Sequence, residues 1–276
     1  MISIAWATGA ALASTSSPAA VPAAAPATPP ARAAAQEWDP SFYMKTAGFV
    51  PELGRPVMDA LPPAPARVLD VGCGEGTMAL ELMAQGYDVK GVDLDGSMVA
   101  RARERGVDAF AGDAQAGFPS GELYDAVISN AALHWMPDTT AVVRNVAAVL
   151  EHGGVFAGEC GGAANCAGVR DAISDVIGAE AERALCPWTF PWPGDFRSIL
   201  RDNGFRDGVV SHFKRPVKCD PVEWLRTFGK VYLDGIEDQA AFLEAYRAAC
   251  ARHLPDGEID YVRLRWRAVR RDDRSR

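Results

Sequence analysis

Residues 67–93 read RVLDVGCGEGTMALELMAQGYDVKGVD, and few folds accommodate that order. Val68, Leu69 and Val71 form an apolar run too short for a helix and closed by glycine, which predicts a buried parallel strand. Gly72, Gly74 and Gly76 follow at every second position. Glycine lets the chain turn with positive φ and lets backbone N–H groups approach a ligand that a Cβ would hold off. Met78, Leu80, Leu82 and Met83 then give a helix its apolar side, and Gly86 stops it before a second strand, 87–92, that runs into Asp93. The expected unit is βαβ with a ligand seat at its crevice.

The glycine spacing separates two ligand classes. A dinucleotide site uses G-x-G-x-x-G and holds a pyrophosphate at the helix N-terminus. Here the spacing is G-x-G-x-G, and Asp70 stands two residues before the first glycine. A carboxylate there repels a pyrophosphate but suits an ammonium group, such as the one S-adenosylmethionine carries. The stretch resembles the first motif of class I methyltransferases, an acid, one residue, then G-x-G-x-G, which Asp70, Gly72, Gly74 and Gly76 match at all four positions. Asp93 stands where that family keeps an acid for the two ribose hydroxyls, and a carboxylate can accept both protons. Cys73 lies inside the turn, where a small side chain is needed, and reads as size-limited rather than reactive.

The resemblance extends along the chain. Leu94 corresponds to a residue that packs on adenine, and Asp95 or Ser97 caps a helix to about residue 105. A third strand, 107–111, leads into Asp113, whose family counterpart accepts the adenine amino group, and Ala114, whose N–H serves a ring nitrogen. A fourth strand, 124–130, ends in Ser129-Asn130 and continues to His134-Trp135, similar to the family motif S-N-x-x-x-x-W. The resemblance makes Asn130 a cofactor-side residue, His134 the candidate for the acceptor or its departing proton, and Trp135 a wall; a structural histidine is the alternative. Beyond a helix to Leu150 and a fifth strand, 155–159, the pattern loosens: a helix over 169–185 precedes Trp188, Phe190 and Trp192 in a proline-bracketed loop. Trp224 falls in W-L-R-T-F, similar to a segment that roofs the relatives' substrate site. Trp188, Trp192 and Trp224 are candidate substrate contacts, with plain packing as the alternative. Strands over 208–218 and 259–269 and helices around 222–228 and 238–252 complete the chain.

The first 36 residues hold one charge, Arg32, and are dominated by Ala, Pro, Ser and Thr. Such a segment buries too little to fold; a disordered leader, a transit peptide and, last, a secretory signal are the readings. The domain proper is expected over 37–276, with a lid over 37–62 that carries W-D-P and then Tyr43, and cap elements within 161–257. In trans-aconitate-methyltransferase-like relatives the tyrosine lies over cofactor or substrate, so Tyr43 is a catalytic candidate; pinning the leader to the core is the alternative.

A net charge of −8 argues against general nucleic-acid binding. The arginines at 263, 265 and 267 alternate, as on the solvated face of a final strand. No apolar run reaches the roughly 20 residues of a membrane span. The six cysteines, at 73, 160, 166, 186, 219 and 250, form neither a C-x-x-C pair nor zinc spacing, so no metal is expected and the thiols read as reduced and intracellular, in the cytoplasm or an organelle.

The resulting expectation is an α/β, Rossmann-like, mostly parallel sheet of seven strands in the order 3-2-1-4-5-7-6, with helices on both faces and a helical cap. The resemblance implies S-adenosylmethionine as cofactor and methylation of a small molecule, with carboxylate or hydroxyl oxygen favoured. An NAD-dependent oxidoreductase and a non-catalytic scaffold of the same fold are the competing readings.

Overall fold

The computed structural model describes residues 54–119, 121–254 and 256–272. The leader, most of the expected lid, and with them Tyr43, lie outside the described residues.

The first strand, β1 (Arg67–Val71), is buried from Val68 onward, as a parallel strand covered on both faces must be. The glycine turn carries it into α1 (Thr77–Ala84), which returns to β2 (Asp88–Asp93). Then follow α2 (Gly96–Glu104), β3 (Asp108–Ala111), β4 (Tyr124–Asn130), α3 (Thr139–Val149) and β5 (Leu150–Gly161). Asp95 caps α2 by accepting from the Ser97 and Met98 N–H groups, and Asp138 caps α3 through the Ala141 N–H. The later elements are α4 (Ala167–Ile177), α5 (Ala179–Leu185), α6 (Pro193–Asp202), β6 (Phe205–Lys214), β7 (Val217–Lys218), α7 (Pro221–Phe228), α8 (Gln239–His253), β8 (Glu258–Ile259) and β9 (Val262–Arg270).

Seven strands form one sheet in the order β3-β2-β1-β4-β5-β9-β6. The first five are parallel, and β9 enters antiparallel between β5 and β6. This is the expected 3-2-1-4-5-7-6 arrangement. The carboxyl ends of β1, β2, β3, β4 and β5 therefore share one edge, where an open α/β sheet binds ligands.

Side chains alternate across the sheet. Leu69, Val71, Val127, Phe156, Leu264 and Trp266 pack on one face with α3 and α6; Val68, Ala126, Ile128 and Ala157 pack on the other with α1 and a 3₁₀ turn, Arg55–Ala60. A third cluster forms the cap, where Val169, Ile173, Trp188, Trp224, Leu225 and Tyr246 meet. Complete burial of residues of this size contributes ~1.5–3 kcal/mol each.

Several element boundaries differ from the sequence reading, each for a local reason. The described part of the expected lid forms a 3₁₀ turn, Arg55–Ala60, with Pro56 in its first turn. The helix expected over 169–185 is two, because Gly178 adopts φ +88° between α4 and α5. The strands expected over 208–218 and 259–269 each divide, since β7 and β8 leave the main sheet to pair with each other.

Candidate functional site

The turn after β1 brings the acid and glycine residues together. Gly72, Gly74 and Gly76 have φ of +76°, +54° and +81°. The three are held to glycine for different reasons. A Cβ on Gly72 would overlap the Ala132 methyl, and one on Gly76 would stand 2.7 Å from Val107 Cγ2; a Cβ on Gly74 would meet no protein atom within 4 Å. Among the described residues Gly74 thus borders open space.

Two carboxylates, Asp70 and Asp93, stand beside the turn on adjacent strands. The Gly74 N–H donates to Asp93 Oδ2 at 2.9 Å, and the Asp95 N–H donates to Asp93 Oδ1 at 2.9 Å. Each oxygen keeps further acceptor capacity. Burial raises the Asp93 pKa against the opposing effect of those two N–H donors. Asp70 is only 2% exposed, and among the described residues its Oδ2 has no hydrogen-bond partner. Burial, and then the nearby Asp93 charge, push its pKa up to about 7. An orphaned buried carboxylate oxygen is costly unless a donor reaches it, and an ammonium group is such a donor. Cys73 is buried, and burial first, then Asp70 and Asp93, push its thiol far above the usual range, which suits a size-limited turn residue.

The adenine-side candidates stand along the same edge. Leu94 is 57% exposed although apolar. Asp113 Oδ1 accepts from the backbone and side-chain N–H groups of Gln115, and Gln115 Oε1 accepts from the Asp138 N–H. Ala114 is buried, its carbonyl accepting from Asn145 Nδ2. Gln115 and Asn145 therefore pin this loop, a role the sequence reading did not assign.

After β4, Ala131 takes φ +56°, a conformation that L residues rarely adopt, and its N–H donates to the Glu159 carbonyl at 2.7 Å. The bend carries the chain into the turn Leu133–Trp135. Gly54 lies flush against the Asn130 amide, so close that any Cβ would overlap it.

His134 is 9% exposed, and its Nδ1 accepts the Gly161 N–H at 3.4 Å. That bond leaves the ring proton on Nε2. Burial, with Arg263 beside it, holds the imidazole neutral by lowering its pKa well below the usual range. A relay of rings continues from it: His134 to Trp135 at 5.5 Å between centroids, Trp135 to Trp188 at 5.7 Å, and Trp188 to Trp224 at 5.6 Å. Trp188 and Trp224 are themselves 8% and 3% exposed and pack in the cap core. Trp192 is separate, 63% exposed and beside His212.

One constellation escaped the sequence reading. Glu159, 1% exposed at the carboxyl end of β5, gathers Arg215, Arg263 and Arg265. Arg263 is 8% exposed rather than part of a solvated face. Burial opposes ionisation of Glu159, but Arg263 and Arg215 hold its pKa below the usual range. The six cysteines are free thiols, and among the described residues no cluster of His, Cys, Asp and Glu gathers at metal distances. Nor is any described helix long and apolar enough to cross a membrane.

Comparison with known proteins gives one consistent family. A profile described as a methyltransferase domain matches residues 69–158. An uncharacterized methyltransferase of Schizosaccharomyces pombe is 32% identical over 209 residues, which cover 70% of this chain and 80% of that one. Trans-aconitate 2-methyltransferases of Mycobacterium ulcerans and Mycobacterium marinum are 38% and 37% identical, over 42% and 63% of this chain. The matches span 45% and 61% of those two enzymes, less than two thirds of their length. Among solved structures, the YcgJ protein of Bacillus subtilis superimposes with a TM-score of 0.56 at 18% identity, over 82% of this chain and 99% of that one. A Haemonchus contortus phosphoethanolamine N-methyltransferase in complex with S-adenosyl-L-methionine gives 0.55 at 18%, over 79% of this chain and 52% of that one. At that identity they attest the fold.

Proposed function

The chain belongs to the class I S-adenosylmethionine-dependent methyltransferases, and from that premise we propose that it methylates an oxygen of a small organic acid, a carboxylate in preference to a hydroxyl. The observation that carries the cofactor seat is the unpartnered Asp70 Oδ2 beside a glycine turn whose middle residue borders open space. The residues present fit the cofactor: Asp70 matches its ammonium, Asp93 its ribose hydroxyls, and Leu94 with Asp113 and Ala114 its adenine. When bound, S-adenosylmethionine supplies a methyl group on a positively charged sulfur, open to in-line displacement.

The rest falls to the chain's own groups. Alignment and exclusion of water carry most of such a rate, because charge disperses as the nucleophile closes. In this reading Trp135, which packs against the cap cluster, serves as a wall, and Asn130, at the end of β4, stands on the cofactor side. His134 fits the role of donor from Nε2 rather than base, since Nδ1 is engaged by Gly161 and the ring is held neutral. Without a strong base, an alcohol would keep its proton, whereas a carboxylate attacks as it stands. The trans-aconitate enzymes among the relatives support the same choice.

The test is methyl transfer from isotopically labelled S-adenosylmethionine to a panel of carboxylic acids, alcohols and amines, with products identified by mass. A base-labile labelled methyl ester is the expected product. Labelled ethers or N-methyl amines with no ester would contradict the proposal.

A further inference from the structure

Glu159 accepts five N–H donations: from Arg215 Nη1 and Nη2 at 2.7 and 3.0 Å, from Arg263 Nε at 3.0 Å, and from Arg265 Nε and Nη2 at 2.9 and 2.7 Å. Two carboxylate oxygens offer about four lone-pair sites. Glu159 is therefore saturated, yet its one negative charge faces three positive ones. Among the described residues no other acid pairs with these guanidinium groups. Arg263 uses only Nε on Glu159, and among the described residues no acceptor takes the donors of its two terminal amino groups.

Three cations gathered on one buried carboxylate, Arg263 itself buried and Arg215 and Arg265 partly so, are an unfavourable surplus that a single Arg on Glu159 would have avoided. The surplus is also fixed in orientation. The Arg215 and Arg265 guanidinium groups lie over the Phe213 ring, 5.1 and 5.3 Å from its centroid, and Arg263 lies over Tyr261 at 5.9 Å. Rigid, stacked guanidinium forks match planar carboxylates in two-point contact.

Position connects the cluster to the site. Glu159 stands in register with Asn130 across β4 and β5, and Arg265 with Glu159 across β5 and β9. Gly161, whose N–H bonds His134, is in register with Arg263. The arginines thus flank the acceptor side of the ligand edge, on the side of His134 away from the cofactor turn.

We propose that Arg215, Arg263 and Arg265, assembled on Glu159, hold a second, non-reacting carboxylate of the acceptor, so that the enzyme selects acids with at least two carboxylates. This rests on the reading of the site as a carboxylate methyltransferase. The carboxylate on the arginines is the one that does not react, because guanidinium bonds occupy its lone pairs and lower its nucleophilicity. A carboxylate displaced from the cluster, toward His134 and Asn130, stays free to take the methyl group; the carbon–oxygen bond forms as the carbon–sulfur bond breaks, and the sulfonium becomes a neutral thioether.

The experiment compares crotonate, glutaconate and trans-aconitate, with one, two and three carboxylates, in the wild-type chain and in Arg215→Gln and Arg265→Gln. The proposal expects kcat/KM at least about 100-fold higher for glutaconate and trans-aconitate than for crotonate. In either variant that preference falls by tenfold or more, through KM rather than kcat. Equal rates for crotonate and glutaconate in the wild type, or variants that weaken S-adenosylhomocysteine and all acceptors alike, would overturn it. Binding of glutarate, which probes the cluster without turnover, separates the two claims. If no acid is methylated yet glutarate titrates into the S-adenosylhomocysteine complex and not into Arg265→Gln, the anion site stands and the ester chemistry falls. If inorganic phosphate binds there and glutarate does not, the acceptor's anchor is a phosphate and the carboxylate assignment is wrong.

Discussion

The backbone N–H of Gly74 reaches Asp93 Oδ2 across 2.9 Å, which ties the glycine turn after β1 to the end of β2 and makes one unit of the two. Asp93 holds the turn and, on the proposed reading, also receives the ribose. Asp93→Ala should weaken S-adenosylhomocysteine at least about tenfold, as expected for loss of a charge-assisted hydrogen-bond partner worth ~1.5–3 kcal/mol. Isothermal titration checks it, and unchanged affinity would remove the ribose assignment.

Gly72 and Gly74 both have positive φ, yet substitution should separate them. Ala at either position costs ~1–2 kcal/mol from the left-handed conformation. Gly72→Ala adds overlap with the Ala132 methyl and should unfold at clearly lower temperature than Gly74→Ala. Gly74→Ala meets open space and should melt nearer to wild type while losing S-adenosylhomocysteine affinity. Melting curves with and without the ligand distinguish them.

Asp70, pushed up to about 7, is protonated in the ligand-free chain at mildly acid pH. An ammonium partner needs the carboxylate, so cofactor affinity should fall by about tenfold for each pH unit below 7. Stability of the ligand-free chain runs the other way. Between about 4 and about 7 the folded state binds more protons than the unfolded one, so the Asp70 contribution is full below about 4 and is lost as pH rises through about 7. Asp70→Asn should flatten both trends. Calorimetry and denaturant melts at pH 5, 6, 7 and 8 measure them.

His134→Ala should lower turnover more than S-adenosylhomocysteine affinity, because the ring is bonded to Gly161 on β5 and on the proposed reading belongs to the acceptor side. With its pKa held well below the usual range, His134 should contribute no limb to the kcat profile between pH 6 and 8. A limb near pH 6.5 that His134→Ala abolishes would identify it as a base after all.

How much of this was legible beforehand follows from sequence distance. Asp70, the glycines and Asp93 lie within one βαβ unit, and each announces itself by residue type and spacing. The arginine cluster does not, for Glu159 meets Arg215, Arg263 and Arg265 across 56, 104 and 106 residues. The alternating arginines of β9 look like a solvated face until β9 is inserted between β5 and β6, which puts Arg265 opposite Glu159. Trp188 and Trp224 were likewise ambiguous, since a tryptophan in a loop or short helix fits a pocket wall and a core equally well in sequence, and both are found in the cap core only once the cap helices are assembled. Gly178 was the one local signal that the sequence reading passed over, and it divides α4 from α5.

Glu159→Gln should destabilise the fold by ~3 kcal/mol, because it leaves three guanidinium groups without their carboxylate. Urea unfolding of the ligand-free chain reads this directly. A dicarboxylate such as glutarate should recover part of the loss.

On the proposed reading a sulfonium nucleoside occupies the first crossover between Asp70 and Asp93. The most direct test is titration of S-adenosylhomocysteine and, separately, NAD into the wild-type chain and Gly74→Ala. Saturable binding of S-adenosylhomocysteine to the wild type, its loss in Gly74→Ala and no binding of NAD is the result the account requires. Binding of NAD in place of S-adenosylhomocysteine, or equal S-adenosylhomocysteine affinity in both proteins, would contradict it.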